Sequence, residues 1–156
     1  MTTKKPAPPS VRVILSGGFL QIFGLGVIII GDSGIGKSES ALELVSRGHR
    51  FISDDVVDVV RPSAGRLVGK APAISRYFME IRGLGIINIT HLFGVGAIRD
   101  KKQIQLVVQL EYWDAKKNYD RIGAEENTLV LFLADNGKVY TPTAHHIWDQ
   151  LLAESP

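Results

Sequence analysis

Eight residues, Gly31-Asp-Ser-Gly-Ile-Gly-Lys-Ser38, have the types and the spacing of a phosphate-binding loop. The glycines let successive backbone N–H groups turn toward phosphate oxygens. Lys37 is expected to reach the β- and γ-phosphates of a nucleotide, and the hydroxyl of Ser38 is expected to bind Mg²⁺. The candidate nucleotide-binding residues are Gly31, Asp32, Ser33, Gly34, Ile35, Gly36, Lys37, Ser38 and Glu39.

A strand and a helix are predicted on either side of this loop. Val27–Ile30 is fully apolar and has the length of a buried strand. Apolar residues then recur at helical spacing through Glu39–Arg47, and Gly48 follows where a left-handed cap is expected. A chance glycine turn before a helix is the alternative, but the strand–loop–helix order is the context that a phosphate-binding loop requires.

Asp54 and Asp55 follow the loop helix at the end of the next strand pattern. In open α/β sheets, ligands gather at the carboxyl ends of the strands. One carboxylate can therefore orient Mg²⁺, and the other can accept a proton from an attacking hydroxyl. An exposed turn is the alternative interpretation of this acidic pair.

A second dense segment, Glu80-Ile-Arg-Gly-Leu-Gly-Ile-Ile-Asn88, combines a carboxylate, a guanidinium and two glycines. Glu80 can complete the metal site, and Arg82 can neutralise charge. A solvated turn before a strand is an equally good interpretation. Further along, Arg121 is a candidate for stabilising charge on a transferring phosphoryl group, with a surface Asp–Arg pair as the alternative.

The other patterns lead us to expect an α/β domain over residues 11–134, with a mixed β-sheet flanked by helices. Residues 1–10 are expected to form a disordered arm and not a signal peptide, and residues 135–156 a divergent tail. The predicted elements are a hairpin from Val11–Leu15 and Phe19–Phe23, a short helix at Ile74–Ile81, strands at Ile86–Ile89, Gln103–Trp113 and Thr128–Ala134, and a terminal helix at Thr143–Ala153.

Composition limits the classes of function. The chain has 156 residues, a formal net charge of +2 and no cysteine. We therefore expect no nucleic-acid partner, no disulfide framework and no thiolate metal site. The apolar run Phe19–Ile30 is too short to span a bilayer and is broken by Gln21, Gly24 and Gly26, so no membrane association is expected.

Four segments taken together resemble the HPr(Ser) kinase/phosphorylase family. They are Gly31–Glu39, Arg47–Arg50 with Asp54-Asp55, Glu80–Asn88 and Tyr119–Gly123, in the family's order and spacing. The resemblance implies a bacterial cytoplasmic protein-serine kinase that uses ATP and Mg²⁺. Its substrate is HPr, the phosphocarrier of the sugar phosphotransferase system, and its role is in carbon catabolite regulation. It also implies a phosphate-binding-loop fold related to phosphoenolpyruvate carboxykinase, and a homo-oligomer, which is a hexamer in the family.

The resemblance carries over residue by residue. Lys37 matches the family's loop lysine, and Ser38 and Glu80 match magnesium-site residues. Asp54-Asp55 matches the acidic pair that contains the proton acceptor, with Asp55 favoured for that role. Arg121 matches the catalytic arginine.

Two departures from the family concern the reverse reaction, in which phosphate removes the phosphoryl group. Ser16, followed by Gly17, stands where the family usually has a His-Gly pair. The resemblance is expected to end near Gly123, so the family's Pro- and Arg-rich loop, associated with dephosphorylation, has no counterpart. We therefore expect a kinase with weakened phosphorolysis. The alternative is a nucleotide-binding regulatory module of the same descent that lacks catalysis.

Overall fold

The computed structural model describes residues 11–61 and 66–112, together with the backbone of two strands at 124–125 and 128–134. The strands are β1 Val11–Ser16, β2 Gly18–Ile22, β3 Leu25–Gly31, β4 Arg50–Ser53, β5 Val56–Arg61, β6 Val68–Lys70, β7 Phe78–Ile81, β8 Gly85–Asn88, β9 Lys101–Gln103, β10 Leu106–Glu111, β11 Ala124–Glu125 and β12 Thr128–Ala134. The helices are α1 Lys37–Ser46 and α2 Ile89–Phe93, and a 3₁₀ turn follows at Val95–Ala97.

A six-stranded mixed sheet with the order β11-β12-β10-β3-β2-β4 forms the centre of the fold. The strands β3, β10 and β12 run parallel, whereas β2 is antiparallel to β3 and to β4. The glycine loop follows the carboxyl end of β3 and leads directly into α1. The α/β class and the mixed sheet predicted from the sequence are confirmed.

Strand β3 is apolar on both sides and is buried on both faces of this sheet. Val27 and Ile29 pack on one face with Ala41 and Val45 of α1, which lie one helical turn apart. Ile28 points to the opposite face, where a four-stranded antiparallel sheet covers it. That second sheet has the order β1-β5-β6-β9, and the core between the sheets contains Phe19, Ile28, Ile52, Val57, Val59 and Ile104.

The predicted hairpin at the start of the domain is wrong. Val11–Ser16 pairs with β5 in the four-stranded sheet, whereas Gly18–Ile22 pairs with β3 and β4 in the six-stranded sheet. The short connection at Gly17 therefore passes from one sheet to the other. Local turn residues predicted a reversal, but burial between the two sheets decided the pairing.

The predicted helix at Ile74–Ile81 is also wrong. Phe78–Ile81 is strand β7, which pairs with β8 as a two-stranded hairpin. Burial alternates along β7, with Met79 and Ile81 in the core, and this is the period of a strand. Packing of alternate residues beneath α1 therefore outweighs the local pattern.

The strand before the loop and the helix after it are confirmed, and Gly48 has the expected left-handed conformation with φ 96°. Thr128–Ala134 is confirmed as β12. The predicted arm and terminal helix lie outside the described residues. No helix in the described part of the chain is long and apolar enough to cross a membrane.

Candidate functional site

The glycine loop presents the open N-terminus of α1. Gly36 is the residue before the helix, with φ 104°, and no side chain caps the helix there. Gly31 has φ 149°, and a β-carbon at this position would lie 2.6 Å from the carbonyl oxygen of Leu110. Glycine is therefore required at both ends of the loop, and the first N–H groups of α1 are left to bind an anion.

The side chain of Lys37 curls back over this loop. Its Nζ donates hydrogen bonds to the carbonyl oxygens of Gly31 at 2.8 Å and Asp32 at 2.7 Å. Both acceptors are neutral, so the ammonium charge is not cancelled by a carboxylate. Lys37 thus holds a positive charge at the mouth of the loop.

Asp54 joins three elements at the floor of the site. Its carboxylate accepts hydrogen bonds from Ser38 Oγ, at 3.0 Å and 3.2 Å to the two oxygens, and from the Glu80 backbone N–H at 3.2 Å. The residue is only 7% exposed. Burial raises the pKa of this carboxyl above its ordinary value, against the opposing effect of the hydrogen bonds from Ser38 and Glu80.

Asp55, by contrast, is exposed and has a strained backbone. Its φ is 65°, and the N–H of Val56 donates to the carbonyl oxygen of Asp54 across it at 2.7 Å, as in a γ-turn. The N–H of Gly17 donates to the carbonyl oxygen of Asp55 at 2.9 Å, which brings Ser16 next to the acidic pair. Strain of this kind at a residue other than glycine is common at functional sites.

The other candidate residues occupy different positions. Glu80 enters the site through its backbone, while its side chain is exposed on β7. Arg82 lies against Gly34 of the loop, a contact that the sequence did not predict because the two residues belong to distant segments. Arg121 lies outside the described residues. The sequence-predicted residues that the fold brings together are therefore Lys37, Ser38, Asp54 and Asp55, with the backbone of Glu80.

The oxygen atoms around Asp54 fit a magnesium ion. The oxygen atoms belong to the Ser38 hydroxyl and the Asp54 carboxylate, which are ligand types that Mg²⁺ prefers. Asp54 is a buried carboxylate whose described partners are hydrogen-bond donors with no formal charge. No group of three or more His, Cys, Asp or Glu within the described ranges can hold a metal ion by itself. Mg²⁺ in proteins is commonly held by one or two carboxylates together with substrate phosphates and waters.

The raised pKa of Asp54 predicts a pH-dependent cost to stability. Because the folded protein binds this proton more tightly than the unfolded chain, the free energy of unfolding falls as the pH rises from the ordinary value of 3.8 through the folded pKa. In metal-free buffer, the gain in the free energy of unfolding of Asp54→Asn relative to wild type should therefore be larger at pH 7 than at pH 4. Urea unfolding between pH 4 and 8 should show this gain shrinking toward pH 4.

Asp100→Asn is the matched control, because Asp100 is exposed and its contacts with Arg76 and Tyr77 are long, at 3.9 Å and 3.4 Å. It should change the free energy of unfolding by less than about 0.5 kcal/mol at any of these pH values. A gain for Asp54→Asn that grows as the pH falls would contradict the argument.

The comparisons with known proteins agree on one family. The family model "HPr Serine kinase C-terminal domain" matches residues 10–144. This match passes Gly123, so our expectation that the resemblance ends there is wrong. The reason is structural, because Thr128–Ala134 forms β12 and extends the central sheet beside β10.

Individual relatives give the same result. The HPr kinase/phosphorylase of Lactobacillus johnsonii is 50% identical over 131 residues, which are 84% of this chain and 41% of that protein. The protein of the same name from Listeria monocytogenes is 48% identical over 130 residues, which are 83% of this chain and 42% of that protein. The chain thus spans about two-fifths of the length of these curated relatives.

A solved structure supports the fold. The HPr(Ser) kinase/phosphatase from Coxiella burnetii superposes with a TM-score of 0.70 at 26% identity. The superposition covers 90% of this chain and 88% of that one.

Proposed function

This chain belongs to the HPr serine kinase C-terminal domain family, and on that premise we propose that it transfers the terminal phosphoryl group of ATP to a serine of HPr. The observation that carries the proposal is the junction of Ser38, Asp54 and Glu80 beside an open glycine loop. This junction joins a candidate metal site to a candidate phosphate site. The proposal includes Mg²⁺ dependence, a phosphate-binding-loop fold related to phosphoenolpyruvate carboxykinase, and a role in carbon catabolite regulation in the bacterial cytoplasm.

The chemistry assigned to the residues is an in-line transfer. The serine hydroxyl oxygen of HPr forms a bond to the γ-phosphorus, the bond from that phosphorus to the bridging oxygen breaks, and ADP leaves. The loop amides and Lys37 hold the β- and γ-phosphates, and Arg121 stabilises the charge on the transferring group. Bound Mg²⁺ would offset phosphate charge, with Ser38, Asp54 and Glu80 as its protein-side ligands.

Asp55 is the better candidate for the proton acceptor. Asp54 is buried, and both of its oxygens accept hydrogen bonds, so a protein substrate has little access to it. Asp55 is exposed beside it and can receive the proton of an incoming serine hydroxyl. In the reverse direction Asp55 would return that proton.

Weak phosphorolysis is also part of the proposal. Ser16 lies next to Asp55, because the N–H of the following residue, Gly17, donates to the Asp55 carbonyl oxygen. The HPr(Ser) kinase/phosphorylase family usually has histidine at the position of Ser16. A serine hydroxyl does not titrate near neutral pH and therefore cannot replace histidine in moving a proton.

We also propose a homo-oligomer, since the family forms hexamers.

Mass spectrometry of HPr tests this function in both directions. Wild-type protein with ATP, Mg²⁺ and HPr should add one phosphoryl group to HPr, and omission of Mg²⁺ should abolish the gain. Phosphorylated HPr with inorganic phosphate should be converted more slowly than by a full-length relative assayed in parallel. No mass gain, under conditions where that relative phosphorylates HPr, would refute the kinase assignment and favour a non-catalytic nucleotide-binding module.

A further inference from the structure

Arg82 lies at the tip of the β7–β8 hairpin, next to the glycine loop. The hairpin turn is closed by a hydrogen bond from the Leu84 N–H to the Ile81 carbonyl oxygen at 3.0 Å. Along β7, Met79 and Ile81 are buried in the same core cluster as residues of α1. The hairpin is therefore anchored to the helix that the loop precedes, and its tip has a defined position relative to the loop.

The guanidinium of Arg82 contacts Gly34. A β-carbon at position 34 would lie 2.8 Å from Arg82 Nη2 and 3.4 Å from Nη1. Gly34 has φ 83°, a backbone conformation that disfavours a side chain, and a β-carbon here would also displace the guanidinium of Arg82. The fork of the arginine thus lies against the glycine loop at Gly34.

Three positive features lie at the glycine loop. They are the open N-terminus of α1, the ammonium of Lys37 and the guanidinium of Arg82. Within the part of the chain that the structure describes, Arg82 makes no hydrogen bond or ion pair. The acidic neighbours Asp32 and Glu39 are exposed and make no ion pair with either cation there. Positive charge at the N-terminus of a helix favours the binding of an anion there.

We propose that Arg82 contacts the polyphosphate of the bound nucleotide, as a second cation beside Lys37. The inference rests on the proposed function and adds a phosphate-contacting residue that is distinct from Arg121. A guanidinium donates two parallel hydrogen bonds to phosphate oxygens, whereas lysine acts as a point charge. The sequence alone was equally consistent with a solvated turn at Glu80–Asn88. The contact of Arg82 with Gly34 instead favours a role for this arginine in phosphate binding.

Calorimetry with Mg·ATP tests the inference without HPr. Arg82→Gln should weaken Mg·ATP binding by about 10- to 100-fold, the loss expected for a charge-assisted hydrogen-bond pair. Arg82→Lys should recover part of the affinity. Arg61→Gln is the matched control, because Arg61 is an exposed arginine at the far end of β5, and it should bind Mg·ATP like wild type.

The outcomes separate this inference from the proposed function. The inference is overturned if Arg82→Gln binds Mg·ATP with an affinity within about twofold of wild type, whatever the result with HPr. Wild-type protein that binds no Mg·ATP also overturns it. Wild-type protein that binds Mg·ATP and loses affinity on Arg82→Gln, but leaves HPr unmodified, supports the inference and refutes the kinase proposal. Unchanged melting temperatures would show that the variants remain folded.

A double-mutant cycle with Gly34→Ala supplies a second readout. The alanine β-carbon would displace the guanidinium, so Gly34→Ala should weaken Mg·ATP binding more in the wild-type background than in the Arg82→Gln background. The backbone strain at position 34 is the same in both backgrounds and cancels in the comparison. Equal losses in the two backgrounds would count against a role for the Arg82–Gly34 contact.

Discussion

Asp55→Asn is expected to lower the rate of phosphoryl transfer to HPr by about 100- to 10,000-fold, which is the range for removal of a general base. Asparagine is nearly isosteric with aspartate and tolerates the left-handed conformation at φ 65°, so the backbone at this position should persist. Binding of Mg·ATP should change by less than about threefold, because the assigned role of Asp55 is to accept a proton and not to hold phosphate. Single-turnover kinetics with HPr and calorimetry with Mg·ATP measure the two effects separately.

Asp55→Gly provides the control for backbone strain. Glycine adopts φ 65° without a steric penalty, so this variant should be more stable than wild type by about 1 kcal/mol and still be as inactive as Asp55→Asn. Higher stability with lost transfer would show that the strained aspartate serves function at a cost to the fold. Transfer within about tenfold of wild type in both variants would exclude Asp55 as the base.

Lys37→Ala is expected to lower kcat/KM for ATP by about 100- to 1000-fold, as found when one charge-stabilising donor is removed from an active site. The lysine now donates only to backbone carbonyl oxygens of Gly31 and Asp32, and both bonds can be exchanged for phosphate contacts. Its removal should therefore cost little stability, and the melting temperature without nucleotide should stay within a few degrees of wild type. The loss should appear as a missing thermal shift on addition of Mg·ATP.

Lys101→Ala is the matched control for charge. Lys101 is exposed on β9 in the four-stranded sheet, away from the glycine loop. It should retain the thermal shift with Mg·ATP and the kcat/KM of wild type. A full thermal shift in Lys37→Ala would contradict the assignment of the loop as the phosphate site.

The elements that the sequence predicted well are those with strong local signals. Val27–Ile30 lies within β3 and has the unbroken apolar pattern of a strand buried on both faces. The glycine pattern and the helical spacing after it predicted α1 to within a few residues. The errors concern Val11–Phe23 and Ile74–Ile81, where the deciding contacts come from a second sheet or from the underside of α1. The single strand predicted at Gln103–Trp113 is also wrong at its start, because Gln103 ends β9 in the four-stranded sheet and Leu106–Glu111 forms β10 in the six-stranded sheet.

The candidate site likewise combines residues that are close in sequence with residues that only the fold brings together. Gly31 to Ser38 are neighbours in sequence, so glycine conformation and helix geometry alone bring their amides, the lysine and the serine hydroxyl to one point. The role of Asp54 depends on contacts across 16 residues to Ser38 and 26 residues to Glu80. Sequence spacing could mark these residues as candidates but could not show which side chains meet.

The sequence by itself determined the glycine loop, the strand that ends in it and the helix that begins after it, because each depends on interactions within a few residues. Tertiary structure alone decided that Asp54 is buried while Asp55 is exposed, and that Arg82 lies over Gly34. The physical reason is that these positions follow from how β4, β5 and the β7–β8 hairpin pack around α1 and the two sheets. Two adjacent residues of the same type therefore differ, since Asp54 is buried and has a raised pKa whereas Asp55 is exposed to solvent.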